Sequence, residues 1–211
     1  MLLSVGAVAA QPSSDAAGDA SAETETVVVL KTVQGDIYLR FFPELAPEHV
    51  KNFIFHAKEG NYTDTYFHRV IPGMMIQGGD FNSKDDNPAN DGMGGWSYKG
   101  PGTHLPAEFS DRKHVRGILS MARGGDPNSA GSQFFIMHAP YPSLNGKYTV
   151  FGEVIKGLDV VDKIVTTDRD RRNNRPDENQ AVTEVEVLEW SKRKVDVFLL
   201  EQKTIETTSP H

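Results

Sequence analysis

Polar and apolar positions alternate with two different periods along this chain, and the change of period locates its elements. Thr26 to Val33 is a β-branched, largely apolar run, Gln34-Gly35 offers a tight turn, and Asp36 to Phe41 alternates outward and inward residues. Together they predict a β-hairpin. Pro47 then supplies a first-turn proline, and Val50, Phe53, Ile54 and Ala57 recur at i, i+3, i+4 and i+7 before Gly60. That spacing predicts one amphipathic helix over about 47–59. From Tyr62 to Phe151 short apolar runs are broken by Gly and Pro clusters, among them Gly78-Gly79, Gly92 to Gly95 and Gly124 to Pro127. Many short strands with frequent turns predict a barrel or a sandwich. Leu158, Val161, Ile164 and Val165 follow Gly157 with helical spacing, Arg169 to Gln180 reads as a charged loop, and Val182 to Trp190 alternates as a closing strand whose register is imperfect near Leu188.

The two ends read differently. Residues 11–25 (QPSSDAAGDASAETE) lack apolar periodicity and have the composition of a solvated linker. Residues 1–25 are therefore expected to be a signal remnant and a disordered linker, 26–190 the folded domain, and 191–211 an extension. In that extension Val195, Val197, Phe198, Leu199 and Leu200 follow three basic residues. An extra strand or helix laid on the domain is weighted above a docking element for a partner. Leu2 to Ala10 is short and apolar, and Ala7-Val8-Ala9 fits the small-x-small pattern of signal cleavage, although no Lys or Arg precedes Lys31. Periplasmic or secreted location is the expectation, weighed against a cytoplasmic one. No run elsewhere approaches the roughly 18 apolar residues of a membrane span.

Composition narrows the chemistry. The 211 residues carry 22 Lys and Arg against 29 Asp and Glu, a net charge of -7, with no basic stripe, which argues against a nucleic-acid binder. Without cysteine there is no thiolate nucleophile, disulfide or sulfur ligand. The seven histidines show neither HxH nor HExxH spacing, so no metal site is expected. The glycine clusters lack the lysine and the strand-turn-helix context of nucleotide-binding loops.

Two segments carry candidate chemistry. In Phe67 to Phe81 (FHRVIPGMMIQGGDF) Arg69 sits among apolar, strand-like residues, with Met74, Met75 and Gln77 close behind. A half-buried arginine must be paired or put to use, and taken alone a structural ion pair is the commoner explanation. In Gly131 to Ile136 (GSQFFI), Gln133 and Phe135 are two apart and so share one face of a strand. Ordinary core is the plain alternative for the phenylalanine.

Taken together, these segments closely resemble the two signature stretches of cyclophilins, in the same order and at a similar separation. GILSMARGG at 117–125 and LNGKYTVFGEV at 144–154 resemble further family stretches, so the likeness covers about residues 26–190. It implies a closed eight-stranded antiparallel β-barrel capped by two α-helices, with a proline site on the outer face. The implied activity is peptidyl-prolyl cis-trans isomerisation without a cofactor, on proline-containing peptides and unfolded or partly folded proteins. By the same resemblance Arg69 is the catalytic arginine, with Gln77 orienting it and Gln133 holding the peptide backbone. Met74, Met75, Phe135, Leu144 and Tyr148 form the apolar slot, and Ala122 and Arg123 are backbone-contacting positions. Met74 stands where relatives have an aromatic residue, Arg123 where many have asparagine, and Tyr148 in place of a histidine. Ser143 stands at or near a tryptophan that contacts cyclosporin in drug-sensitive relatives, which implies weakened drug binding. The rival reading is a non-catalytic module that binds proline segments as a chaperone or scaffold. A monomer is expected.

Overall fold

The computed structural model describes residues 23–85 and 87–208, with side chains described through residue 200. The candidate signal remnant and most of the linker lie outside the described residues. The first strand, β1 (Thr24–Thr32), begins inside the segment expected to be linker, because Thr24 and Glu25 pair with Ser191 and Trp190. It turns at Val33 and Gln34 into β2 (Gly35–Phe41), as expected. The Thr32 hydroxyl donates to the Gly35 carbonyl at 2.7 Å and accepts from the Gln34 N–H at 3.1 Å, and the turn is tied to the 180–181 segment by Val33 N–H to the Ala181 carbonyl at 3.1 Å and Gln34 Nε2 to Gln180 Oε1 at 3.0 Å.

The first helix, α1 (Pro47–Lys58), buries Val50, Phe53 and Ala57, leaves Ile54 half-exposed and buries His49, Asn52 and His56 as well. No side chain of its own caps its N-terminus. Instead Glu108 accepts from the backbone N–H groups of Glu48 and His49 at 3.2 and 3.1 Å, placing a carboxylate at the positive end of the helix. The short strands follow: β3 (Arg69–Ile71), β4 (Met75–Gly78), β5 (Ile118–Met121), β6 (Phe134–Met137) and β7 (Val150–Lys156). After β7, α2 (Leu158–Val165) buries Val160, Val161, Ile164 and Val165, close to the expected face. The expected charged loop after α2 contains a small hairpin, β8 (Arg169–Asp170) with β9 (Arg175–Pro176), before β10 (Val182–Ser191).

Eight strands form one antiparallel sheet in the order β10-β1-β2-β7-β5-β6-β4-β3. The expected barrel is corrected in one respect, because its ends do not join as a continuous ladder. The seam between β3 and β10 is closed by the segment before β3 and the start of β10: a bridge between Tyr66 and Ala181, with bonds from Phe67 N–H to Gln180 O (2.9 Å), Val182 N–H to Thr65 O (2.8 Å) and Asp64 N–H to Val182 O (2.7 Å). The inside is filled by Leu30, Ile37, Leu39, Ile76, Leu119, Ile136 and a group of rings, with Phe53 at 5.1 Å from Phe134 and 4.9 Å from Tyr62 between centroids.

A third helix, α3 (Lys192–Thr208), occupies the extension, for which an extra strand or helix laid on the domain was expected. Val195, Phe198 and Leu199 lie against Val27, Ile155, Tyr38, Leu188 and Trp190 on the outer side of the sheet. This contact explains two features of the sequence. The run Val27 to Leu30 is buried throughout, Val28 and Leu30 inward in the core and Val27 outward beneath α3. Leu188 breaks the alternation of β10 because it belongs to the face that α3 covers.

Candidate active site

The period of two along β4 and β6 sorts their side chains between two environments. Ile76, Phe134 and Ile136 point into the barrel, while Met75, Phe135 and Met137 join a separate outer cluster with Ile118, Val150, Phe42 and Ala122. The ladders then set a row across that outer face. Arg69 pairs with Gln77, Gln77 with Phe135, and Phe135 with Ser120. Cross-strand neighbours lie about 4.5–5.5 Å apart, so this register brings a cation, an amide and a ring together from residues 66 positions apart in sequence, 69 to 135.

The polar members are chained. Arg69 donates from Nη1 to Gln77 Oε1 at 3.1 Å, Gln77 donates from Nε2 to Gln133 Oε1 at 3.0 Å, and Gln133 donates from Nε2 to the Gly94 carbonyl at 2.8 Å. Each amide thus has one end fixed by the next. Gln133 lies one residue before β6, not within it, and still reaches the row. Arg69 is half-buried and makes no ion pair among the described residues, so the structural ion pair weighed from sequence is absent there.

Beside Arg69 a cavity of about 100 Å³ is lined by Met74, Met75, Gln77, Ala122, Arg123, Phe135, Leu144 and Tyr148. All the expected slot residues meet there. Phe135 and Tyr148 stand edge to face at 5.7 Å, and the Arg123 guanidinium lies 4.6 Å over the Tyr148 ring. Leu144 arrives on a short 3-10 turn (Pro142–Leu144), in which Ser143 is exposed. Of the ten expected site residues only Gln133 is outside this wall, one hydrogen bond away.

Chemistry also sits where the sequence reading did not look. A second cavity of about 290 Å³ adjoins the first, sharing Gln77, Ala122 and Arg123 and bounded by Gly92 to Gly95, His104, Ser129 and Gln133. Those glycines had the appearance of barrel turns. The opposition of two glycine-rich runs, 92–95 and 124–131, was the available signal. His114 was also missed among the histidines: it is buried, stacks at 6.0 Å on Phe135, and bonds Ser120 Oγ at 3.0 Å, while its backbone N–H donates to Asn145 Oδ1 at 2.7 Å. Burial holds its imidazole below the ordinary range, against the opposing hydrogen bond to Asn145. Gly79 is required just after β4: its φ of +77° suits glycine, and a Cβ there would lie 2.8 Å from the Ser132 carbonyl and 2.7 Å from the Phe134 ring.

The family model for the cyclophilin type peptidyl-prolyl cis-trans isomerases matches residues 27–187. The chain belongs to the cyclophilin family. The probable peptidyl-prolyl cis-trans isomerase of Brucella abortus is 49% identical over 148 residues, covering 68% of this chain and 74% of that protein. A peptidyl-prolyl cis-trans isomerase of Arabidopsis thaliana is 41% identical over 180 residues, 82% of this chain and 26% of that protein. The crystal structure of a cyclophilin type isomerase from Cryptosporidium parvum superposes with a TM-score of 0.70 at 33% identity, covering 78% of this chain and 98% of that one. The same protein has been solved in the presence of the dipeptide Ala-Pro, and this structure matches with a TM-score of 0.69. Cyclophilin membership agrees with the sheet of eight antiparallel strands and with an activity that uses no cofactor.

Proposed function

We propose that this cyclophilin isomerises Xaa-Pro bonds at the wall formed by Arg69, Gln77 and the apolar cavity beside them. The observation that carries this reading is the chain Arg69–Gln77–Gln133–Gly94, which holds a guanidinium at the rim of a ring-sized apolar slot. Amide resonance opposes rotation about the Xaa-Pro bond with a barrier of about 18–20 kcal/mol. At the twisted transition state that resonance is lost, and the prolyl nitrogen regains a lone pair. A fixed N–H donor therefore binds the transition state more tightly than either planar ground state.

Arg69 supplies such a donor at any working pH, and Gln77 occupies one of its N–H groups so that others remain for substrate. Met74, Met75, Phe135, Leu144 and Tyr148 hold the pyrrolidine ring while the preceding residue swings, and the slot keeps water from weakening the arginine contact. Ala122 and Arg123 present backbone to the substrate, and Gln133 braces Gln77 while facing the peptide. Raising exchange from about 0.01 per second to about 10³ per second requires about 7 kcal/mol. A preorganised charged donor in a desolvated slot is of that order, and no metal, nucleophile or proton transfer enters the step.

Unfolded or partly folded proteins are the substrates this reading implies, acted on by a monomer. Ser143 lacks the ring of a tryptophan, which supports weakened cyclosporin binding. The apolar stretch Leu2–Ala10 supports a periplasmic or secreted location, tested by amino-terminal sequencing of exported material. The isomerase itself is tested by NMR exchange on an Ala-Pro peptide with the unmodified chain and with Arg69→Ala, each checked for folding. Acceleration that collapses in the variant is expected; binding without acceleration by the unmodified chain would leave a proline-binding module.

A further inference from the structure

The two cavities meet at Arg123, and neither is lined by a carboxylate, although the chain as a whole carries a net charge of -7. Three acids that flank these loops have partners of their own. Asp91 pairs with Arg175 at 2.6 Å, Asp80 accepts the backbone N–H groups of Gly92 and Asn82, and Asp126 accepts Asn128 N–H at 2.8 Å within its own turn. Arg123 itself pairs only with neutral groups among the described residues. Its Nη1 donates to the carbonyls of Gly124 and Gly125 at 2.8 and 3.3 Å, its Nη2 to the Lys147 carbonyl at 3.0 Å, and its face rests on Tyr148.

A guanidinium offers five N–H donors, and these bonds use three. The Nε donor is buried without a partner, and one Nη2 donor is unclaimed. The side chain is therefore already immobilised, with its charge uncompensated, on the wall common to the proline slot and the larger cavity. Ordering it costs a substrate nothing further, and burying a second cation beside it is unfavourable.

We propose that Arg123 is a specificity-determining residue, making the groove select proline segments that carry an aspartate or glutamate within three residues of the proline, seated in the larger cavity. This rests on the isomerase reading of the same groove. The overall negative charge of the protein repels distant anions, so selection arises at contact range, where Arg123 is the arginine on the wall of the larger cavity and Arg69 is confined to the proline slot.

The test uses alanine-based proline peptides with a single Glu, Gln or Lys placed in turn at each of the three positions on either side of the proline. NMR exchange is measured with the full chain, Arg123→Gln and Arg123→Lys. At one position or more the unmodified chain should favour Glu over Gln and Gln over Lys, with a Glu-to-Lys ratio in kcat/KM of about fivefold at low salt that shrinks as salt is added. The ratio should fall to near one in Arg123→Gln and persist in Arg123→Lys. Because it is taken within one variant, it does not depend on how much of that variant is folded. A ratio near one at every position of the unmodified chain, or a ratio preserved in Arg123→Gln, overturns the inference while the all-alanine peptide still reports the isomerase. If the all-alanine peptide and every other go unaccelerated, the isomerase reading falls and takes this one with it.

Discussion

The two faces of β4 and β6 are made by the same eight residues and do opposite things. Inward, Ile76, Phe134 and Ile136 are at most 1% exposed and pack in the main apolar core. Outward, Met75, Gln77 and Phe135 surround a cavity and carry a hydrogen-bonded polar row. The inner face is filled, and its worth is stability. The outer face keeps unfilled apolar volume and an arginine without an ion pair, features that lower stability and are held in place by the filled side. A site of this kind needs a rigid back, since a donor displaced by an ångström loses much of its preference for the transition state.

The comparison can be broken most directly by exchanging its two halves. Phe134→Ala should cost about 3–5 kcal/mol of unfolding free energy, read by denaturant titration, with turnover falling only in proportion to the folded fraction. Arg69→Ala should do the reverse, lowering kcat/KM by about 10²- to 10³-fold while the denaturation midpoint stays nearly constant. If Arg69→Ala unfolds the chain and Phe134→Ala spares it, the division between faces is wrong.

Smaller changes sharpen the division. Gln77→Leu removes the acceptor of Arg69 and should lower turnover about tenfold by leaving the guanidinium free to rotate, with a smaller loss for Gln133→Leu, one link further away. Away from the site, Val195→Ala on α3 should cost about 1–2 kcal/mol of stability and leave the rate on a proline peptide unchanged. A changed rate would mean that α3 communicates with the groove.

The smallest effect concerns pH. His49, His56, His68 and His114 are all held below the ordinary value of 6.5, burial being the largest cause in each. A histidine with a depressed folded pKa binds fewer protons folded than unfolded. Its stabilisation is complete above about 6.5 and is lost as pH falls through that value toward the folded pKa. Thermal midpoints should therefore drop between pH 7 and pH 5, and His114→Gln should remove part of the slope. Because His114 stacks on Phe135, the drop should be accompanied by lost turnover.

Much of this molecule was legible without coordinates, and for local reasons. The β1–β2 hairpin, α1 and α2 follow from periodicity and turn chemistry acting over a few residues, and the structure reproduces each within two residues or so. The segments around Arg69 and Phe135 resembled those of cyclophilins strongly enough to nominate the ten site residues together, and the fold brings nine into one cavity wall and the tenth within a hydrogen bond. What the sequence by itself could not decide is everything that depends on pairing between distant segments. The register Arg69–Gln77–Phe135 is set by ladders between three strands, and a shift of one residue in any ladder would send a member inward. The seam between β3 and β10 and the covering of Val27 by α3 likewise depend on surfaces that exist only once the sheet has curved. So do the engagement of His114 under Phe135 and, among the described residues, the absence of a carboxylate from the cavity walls that Arg123 joins. Local periodicity is a property of neighbouring residues, whereas burial and charge compensation belong to what the rest of the chain brings near.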